Sequence, residues 1–229
     1  MPILYATADN LTKKQENVSD DIFPMDIQEW YDKEYYISLH DYNKVNTLDY
    51  LNLVDKKEDI ISIFIINEKK INLNEIIKLK NLQHLKLESI ENITFCDLNS
   101  SLKYLEVNYC ALNHSPVVPD GLVILDISMN LISSLEKITL PQSLKIINLN
   151  DNHFRKFPQL PDNIEILYIC SNYLKEINNL PKNLTQLFIR NNYIENNTLS
   201  NINNIYIDIN NIYSKSESLN KTCLVNLNV

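Results

Sequence analysis

A phrase of the form apolar-x-x-apolar-x-apolar-x-x-polar returns about every twenty residues through most of this chain, and that period restricts the fold more than any other feature. Taking the first apolar position of each copy as its anchor, the copies start at Ile61, Leu82, Leu102, Leu122, Leu144, Ile164, Leu184 and Ile202, with a cut-off copy at Leu224, so successive anchors lie 18 to 22 residues apart. A unit of this length holds one short strand and a return path. It cannot bury its own apolar face, so neighbouring copies must stack to enclose a common core.

The clearest copy runs Leu144-Lys145-Ile146-Ile147-Asn148-Leu149-Asn150-Asp151-Asn152-His153-Phe154. In it and in the copies at Ile164 and Leu184 the chain resembles the leucine-rich repeat family, whose consensus is L-x-x-L-x-L-x-x-N/C-x-L. The ninth position reads Cys110, Asn130, Asn152, Asn172, Asn192 and Asn210 in the later copies, while Lys69 and Ile90 break the rule in the first two. Asparagine suits that slot because the chain turns out of its strand there. Its side chain can donate to and accept from backbone groups that face a dry interior.

The resemblance implies a right-handed solenoid with a parallel β-sheet on its concave face. About twenty residues leave no room for a long convex helix, so the outer side is expected to be extended or a single 3₁₀ turn. Leu140-Pro141, Leu160-Pro161 and Leu180-Pro181, with Val118-Pro119 as a near match, lie on the return path. Proline fixes φ and donates no hydrogen bond, which fits a polyproline-like stretch outside the sheet. In this detail the chain is similar to the short repeats of bacterial secreted effectors. Some of those carry a ubiquitin-ligase domain after the repeats; no such domain follows in this sequence, and that activity is not carried over.

Composition and chemistry point away from catalysis and towards binding. The chain carries a net charge of −8 and a single glycine, Gly121. Glycine loops for nucleotides are therefore not expected, nor is nucleic-acid binding, which needs clustered cations. The four cysteines show no C-x-x-C spacing, and a reducing compartment is the simplest setting for them. Cys170 is the better candidate for an accessible thiol, and Cys110 belongs to the ninth-position row. His40, His84, His114 and His153 fall at unrelated places in the repeat and read as solvated residues. They form neither a zinc spacing nor a nucleophile–base pair, so no enzyme activity, metal or cofactor is expected. The N-terminus lacks a basic and apolar secretory pattern, and the longest apolar run, 60–66, is too short to span a bilayer. An intracellular, cytoplasmic protein without membrane contact is expected.

Residues before the repeats divide into a flexible leader, 1–25, and a helical N-terminal cap, 26–60, ahead of the solenoid at 61–229. Asp26 with Glu29 forms a capping-box pattern that predicts a helix over 27–37, and a second short helix is predicted over 48–54. A cap is needed because the first coil would otherwise present its apolar end to water. Phe23-Pro24-Met25-Asp26-Ile27 resembles the opening of an F-box, which implies an alternative role as a substrate-recognition adaptor of a ubiquitin ligase. At the other end Leu224 to Val229 offers a last edge strand where a second copy could pair, although a homo-oligomer is not predicted.

Strand side chains alternate faces, so positions one, four and six should turn inward and three, five and seven outward. The third row includes Tyr104, Ile146 and Ile166; the fifth includes Glu106, Asp126, Tyr168, Phe188 and Tyr206; Arg190 is in the seventh. These residues, with Asp151, form the expected surface for a protein partner. Tyr168, Phe188 and Tyr206 would be aromatic anchors, and Glu106, Asp126 and Asp151 would meet basic groups.

Overall fold

The computed structural model describes residues 60–194 throughout and, outside them, the backbone pairing of four further strands. In chain order the strands are β1 (Leu4–Thr7), β2 (Asn10–Leu11), β3 (Tyr36–His40), β4 (Ser62–Ile66), β5 (Ile71–Asn72), β6 (His84–Glu88), β7 (Ile93–Thr94), β8 (Tyr104–Asn108), β9 (Ile124–Asp126), β10 (Ile146–Asn148), β11 (Ile166–Tyr168), β12 (Gln186–Phe188) and β13 (Tyr206–Asp208). One sheet runs β13-β12-β11-β10-β9-β8-β6-β4-β3-β1-β2. Every pairing in it is parallel except that of β1 with β2. On the return side β5 and β7 form a small parallel pair, and Leu73–Lys78 is a 3₁₀ helix.

Parallel neighbours one coil apart put like positions side by side, which creates the core. The fourth-position row Ile63, Leu85, Leu105, Leu125, Ile147, Leu167, Leu187 and the sixth-position row Ile65, Leu87, Val107, Ile127, Leu149, Ile169, Ile189 are fully buried. The anchors and, in the later coils, Ile132, Phe154, Leu174 and Ile194 close the same interior. Each Leu or Ile so buried contributes about 1.5–3 kcal/mol.

Register corrects the sequence phase at both ends. In the first coil Ile63 lies opposite Leu85 and Ile65 opposite Leu87, so its anchor is Ile60 rather than Ile61, and Glu68 rather than Lys69 holds the ninth position. In the last, Tyr206 lies opposite Gln186 and Asp208 opposite Phe188. Tyr206 is therefore a third-position residue, and the fifth row passes from Phe188 to Asp208. Asn210 lies outside the described residues, as do 212–229 with their expected edge strand.

Within the segment expected to cap the solenoid, the described residues 36–40 extend its sheet. Where a helix through Ile37 was predicted, Tyr36–His40 pairs in parallel with Ser62–Ile66, and Leu4–Thr7 of the supposed loose leader pairs with Tyr36–His40. Tyr-Ile-Ser-Leu-His alternates apolar and polar residues and is rich in strand formers, a period-two signal; residues 27–35 of the predicted helix lie outside the described residues. The F-box-like residues 23–27 and the helix predicted over 48–54 lie outside the described residues.

The prolines also act differently from a polyproline spacer. The anchor amide of each later coil donates to the carbonyl three residues back, Leu122 to Pro119 and Leu144 to Pro141 at 3.1 Å, Leu184 to Pro181 at 3.2 Å and Ile164 to Pro161 at 3.3 Å. Proline thus opens a tight turn that delivers the chain to its next strand. Gly121 sits in one of these turns, where a Cβ would come within 2.2 Å of the Ser100 carbonyl oxygen. That contact, rather than a left-handed φ, explains the chain's single glycine.

Leaving the strand takes two residues. The eighth position is left-handed in seven successive coils, at Asn67, Ser89, Tyr109, Met129, Asp151, Ser171 and Asn191, with φ between 52° and 62°. The ninth residue then replaces missing backbone partners. Asn172 Nδ2 donates to the carbonyls of Leu149 (3.0 Å), Ile169 (3.4 Å) and Cys170 (3.0 Å), and its Oδ1 accepts from the Phe154 amide at 2.9 Å. Asn130, Asn152 and Asn192 repeat the pattern. Cys110 holds the slot more weakly, its Sγ donating to Asn108 O at 3.0 Å and Leu87 O at 3.8 Å.

Two substitutions test this account by chemical denaturation. Leu167→Ala is expected to lower stability by about 2–5 kcal/mol. Asn172→Ala, which strands the buried Phe154 amide and removes bonds to carbonyls that keep other donors, is expected to cost about 1–3 kcal/mol, whereas no loss would mean that water replaces the asparagine.

Candidate functional site

The outward face of the sheet divides into three zones that follow from which side chain each strand contributes. Its third row reads Ser62, His84, Tyr104, Ile124, Ile146, Ile166, Gln186 and its fifth Phe64, Lys86, Glu106, Asp126, Asn148, Tyr168, Phe188, each adjacent pair in direct register.

Polar side chains fill the middle and are consumed by one another. Glu106 takes an ion pair from Lys86 Nζ at 2.8 Å, a bond from Asn108 Nδ2 at 2.8 Å and a short one from the Tyr104 hydroxyl. Asp126 accepts from the Ser128 amide and from Asn148 Nδ2, both at 2.9 Å, and Asn148 Oδ1 accepts from the Asn150 amide. Asp126 is only 2% exposed. Burial, with the Glu106 carboxylate beside it, pushes its carboxyl up to about 6. Burial is also the largest influence on Lys86, opposing its charge, yet the two glutamates around it leave its pKa raised. Glu106 therefore does meet a basic group, but one from its own sheet, and Asp126 has both oxygens occupied. Asp151 stands apart, exposed at a left-handed eighth position.

His84 differs from the solvated residue expected. It is buried between coils, Nδ1 lying 3.0 Å from Ser62 Oγ and its ring 6.2 Å from Tyr104 in an edge-on arrangement. Burial holds its imidazole down to about 4, so it is neutral at physiological pH. Next to it Tyr104 and Ile124 are buried in an apolar patch shared with Val123 and Ile146.

The C-terminal zone is aromatic. Tyr168 and Phe188 stack with ring centroids 4.6 Å apart and planes 10° from parallel. Ile146, Ile166 and Phe188 are half-buried, and Arg190 is exposed two residues beyond Phe188. Tyr206 falls in the neighbouring third row and does not extend this stack in register. Cys170, half-buried in the seventh row, donates its amide to Asn150 Oδ1. By contrast the Cys110 thiol is pushed up to about 11 by burial, which makes it a poor nucleophile. Among the described residues no group of three or more His, Cys, Asp or Glu side chains could hold a metal ion, and no helix is long and apolar enough to cross a membrane.

Stacked parallel strands one coil apart, inward aliphatic rows and an asparagine row define the architecture. The fold is a leucine-rich-repeat solenoid. No family model and no curated protein sequence matches the chain. Among solved structures it is similar to YopM from Yersinia enterocolitica WA-314, with 18% identity and a TM-score of 0.44 over 70% of this chain. The match spans 36% of the YopM chain, about a third of its length.

A sequence search centred on the strand face missed one feature that the structure brings out. Tyr173 and Tyr193, at the tenth position just past the strands, are exposed and lie parallel to each other. The repeated Asn-Tyr at 172–173 and 192–193 is the signal that could have disclosed it.

The buried pair Asp126 and His84 generates opposed pH dependences. Asp126 has a folded pKa above its unfolded value, so its contribution to stability is full below about 4 and is lost as pH rises through about 6. His84 has a folded pKa below its unfolded value, so its contribution is present above about 6.5 and is lost as pH falls through about 4. Each is on the order of 3 kcal/mol across that window, so these two contributions nearly cancel in the native chain. Asp126→Asn should therefore expose a loss of stability on acidification between pH 6.5 and 4, and His84→Gln a loss on raising the pH over the same range. Parallel denaturation curves of both variants across those pH values would contradict the assignment.

Proposed function

We propose that this protein is a non-catalytic scaffold that holds a protein partner against the outward face of its sheet. The observation that carries this reading is the stacked Tyr168–Phe188 pair on the outward face, with half-buried Ile146 and Ile166 in the adjoining row. Inward rows already satisfy the core, so these apolar side chains are not required to close it. Aromatic residues held rigidly on a surface are the side chains that dominate binding energy in protein interfaces.

Within that reading the residues take different roles. Tyr168 and Phe188 anchor the partner, Ile146 and Ile166 extend the apolar contact, and Arg190 and Asp151 mark its polar border. Tyr104, Glu106 and Asp126 support the face rather than contact the partner, because their polar atoms are engaged within the sheet. An interaction scaffold inside the cell, without membrane contact, fits the leucine-rich-repeat fold.

The experiment compares affinity capture by the native chain and by Tyr168→Ser/Phe188→Ser. Removal of two aromatic anchors is expected to weaken retention of a bound protein by at least about tenfold, at about 2 kcal/mol or more for an anchoring residue. Because Tyr168 is only 9% exposed, thermal unfolding of the variant is measured alongside and retention is compared at a temperature where both chains are folded. Unchanged retention would remove this face as the binding surface.

A further inference from the structure

Six large apolar side chains are exposed among the described residues, and four of them line one rim of the solenoid, just past the ends of the strands. They are Tyr109 at 57% exposure, Leu131 at 47%, Tyr173 at 41% and Tyr193 at 45%. With exposed His153 in the intervening coil, Leu131, His153, Tyr173 and Tyr193 fill the tenth position of four successive coils. Tyr173 and Tyr193 lie 6.2 Å apart with planes 9° from parallel, and His153 meets Tyr173 at 5.8 Å.

The fold asks nothing of these side chains. At the tenth position it uses the backbone alone: the amides of Leu131, His153, Tyr173 and Tyr193 donate to the carbonyls of Leu112, Ile132, Phe154 and Leu174 in the preceding coil. Earlier coils place Glu91 and Ala111 at the same position. A rim that could be polar throughout is instead apolar and aromatic over four coils.

Charge identifies what it would face. The chain carries a net −8, and of its 21 basic residues only two are arginine, Arg155 and Arg190. Both belong to this part of the solenoid. The Arg155 guanidinium stands 5.5 Å from the Tyr173 ring centroid, and Arg190 is exposed three residues before Tyr193. Lys156 and Lys175 are exposed beside Arg155 and Tyr173. Among the described residues the nearby acids are Asp151, on the sheet side of His153, and Glu176, which accepts a bond from Asn178. Guanidinium forks match carboxylates in geometry and stack on aromatic rings, so arginine beside tyrosine favours carboxylate-bearing peptide.

We propose that this rim binds an acidic segment of a partner protein, laid along the coils with its apolar side chains on Leu131, Tyr173 and Tyr193 and its carboxylates towards Arg155, Arg190 and Lys175. The site is separate from the aromatic stack on the outward face of the sheet and shares with it only Arg190 at their common border. A nucleic acid fits less well, because its uninterrupted phosphates need more cations than this strip supplies against the field of an acidic chain.

The test is fluorescence anisotropy with a short labelled peptide alternating glutamate with leucine and tyrosine, compared with the same peptide carrying lysine in place of glutamate. The glutamate peptide alone should bind, more weakly as salt is raised. Tyr173→Ser/Tyr193→Ser and, separately, Arg155→Glu/Lys175→Glu should each weaken it by about tenfold or more. Tyr168→Ser/Phe188→Ser should leave it unchanged, which separates failure here from failure of the sheet-face reading. Melting curves of both rim variants should match the native one, since the altered side chains are exposed. Absence of binding, equal binding of the lysine peptide, or indifference to both rim variants would overturn the proposal. So would sedimentation showing a self-association that Tyr173→Ser/Tyr193→Ser abolishes, which would assign the rim to a second copy of the chain.

Discussion

A strand that ends inside a stack of strands must dispose of its last carbonyls, and the rest of this structure depends on how that is done. The chain bends out of the sheet through a left-handed residue and follows it with an asparagine whose amide reaches carbonyls of its own coil and of the coil before. The seven left-handed residues are all non-glycine, at a cost of roughly 1–2 kcal/mol each. That cost is offset by bonds between coils. The amide of Ser171 donates to Arg190 O and that of Asp151 to Cys170 O, so the strained residue is also a cross-link. Because side chain and backbone together close the exit from the strand, a coil of about twenty residues suffices and no convex helix is required. The aliphatic rows follow, since identical exits keep like positions in register.

The same register decides the behaviour of the outward face. It sets Lys86, Glu106, Asp126 and Asn148 side by side in consecutive strands, where each supplies what its neighbour lacks. A carboxylate nearly sealed from water on a sheet surface is tolerable only when hydrogen-bonded, and Asp126 retains a raised pKa despite two donors. Next door, His84 is kept neutral by the same burial acting on a base. The two shifts are opposite in sign, so the contributions of Asp126 and His84 offset each other across mildly acidic pH. The centre of the face thus behaves as structure, and recognition is left to its aromatic end and to the rim.

Repeat period, inward rows and the asparagine series were legible because each is fixed by a backbone requirement that returns in every coil. The phase of the first and last coils was not. Ile60, Ile61, Ile63, Phe64, Ile65 and Ile66 satisfy the apolar pattern in two registers, and pairing with a neighbour chooses between them, while in the last coil pairing overrides the apolar match of Ile202, Ile205 and Ile207 and puts Ile207 in the fourth position. One residue of slip reverses the face of every side chain, which is why Ile63 and Ile65 are core, whereas the two-residue slip in the last coil only moves Tyr206 from the fifth row to the third. The strand at Tyr36–His40 was hidden for a different reason: an open parallel sheet edge at Ser62–Ile66 offers it hydrogen bonds that a local signal cannot anticipate.

The rim escaped the sequence reading because that reading followed side chains the fold demands, and the tenth position is where the fold demands none. Its backbone amide is spoken for in every later coil while its side chain projects away from the core. Such a position is the freest in the repeat, and for that reason its content is informative: Glu91 and Ala111 show that the slot tolerates small or charged residues, so Leu131, His153, Tyr173 and Tyr193 are not there for packing. The asparagine beside each of the last four holds its backbone in place, which spaces the tyrosine rings before any partner arrives. Little ordering remains to be done on association, and a surface organised in advance binds more tightly than its area alone would suggest.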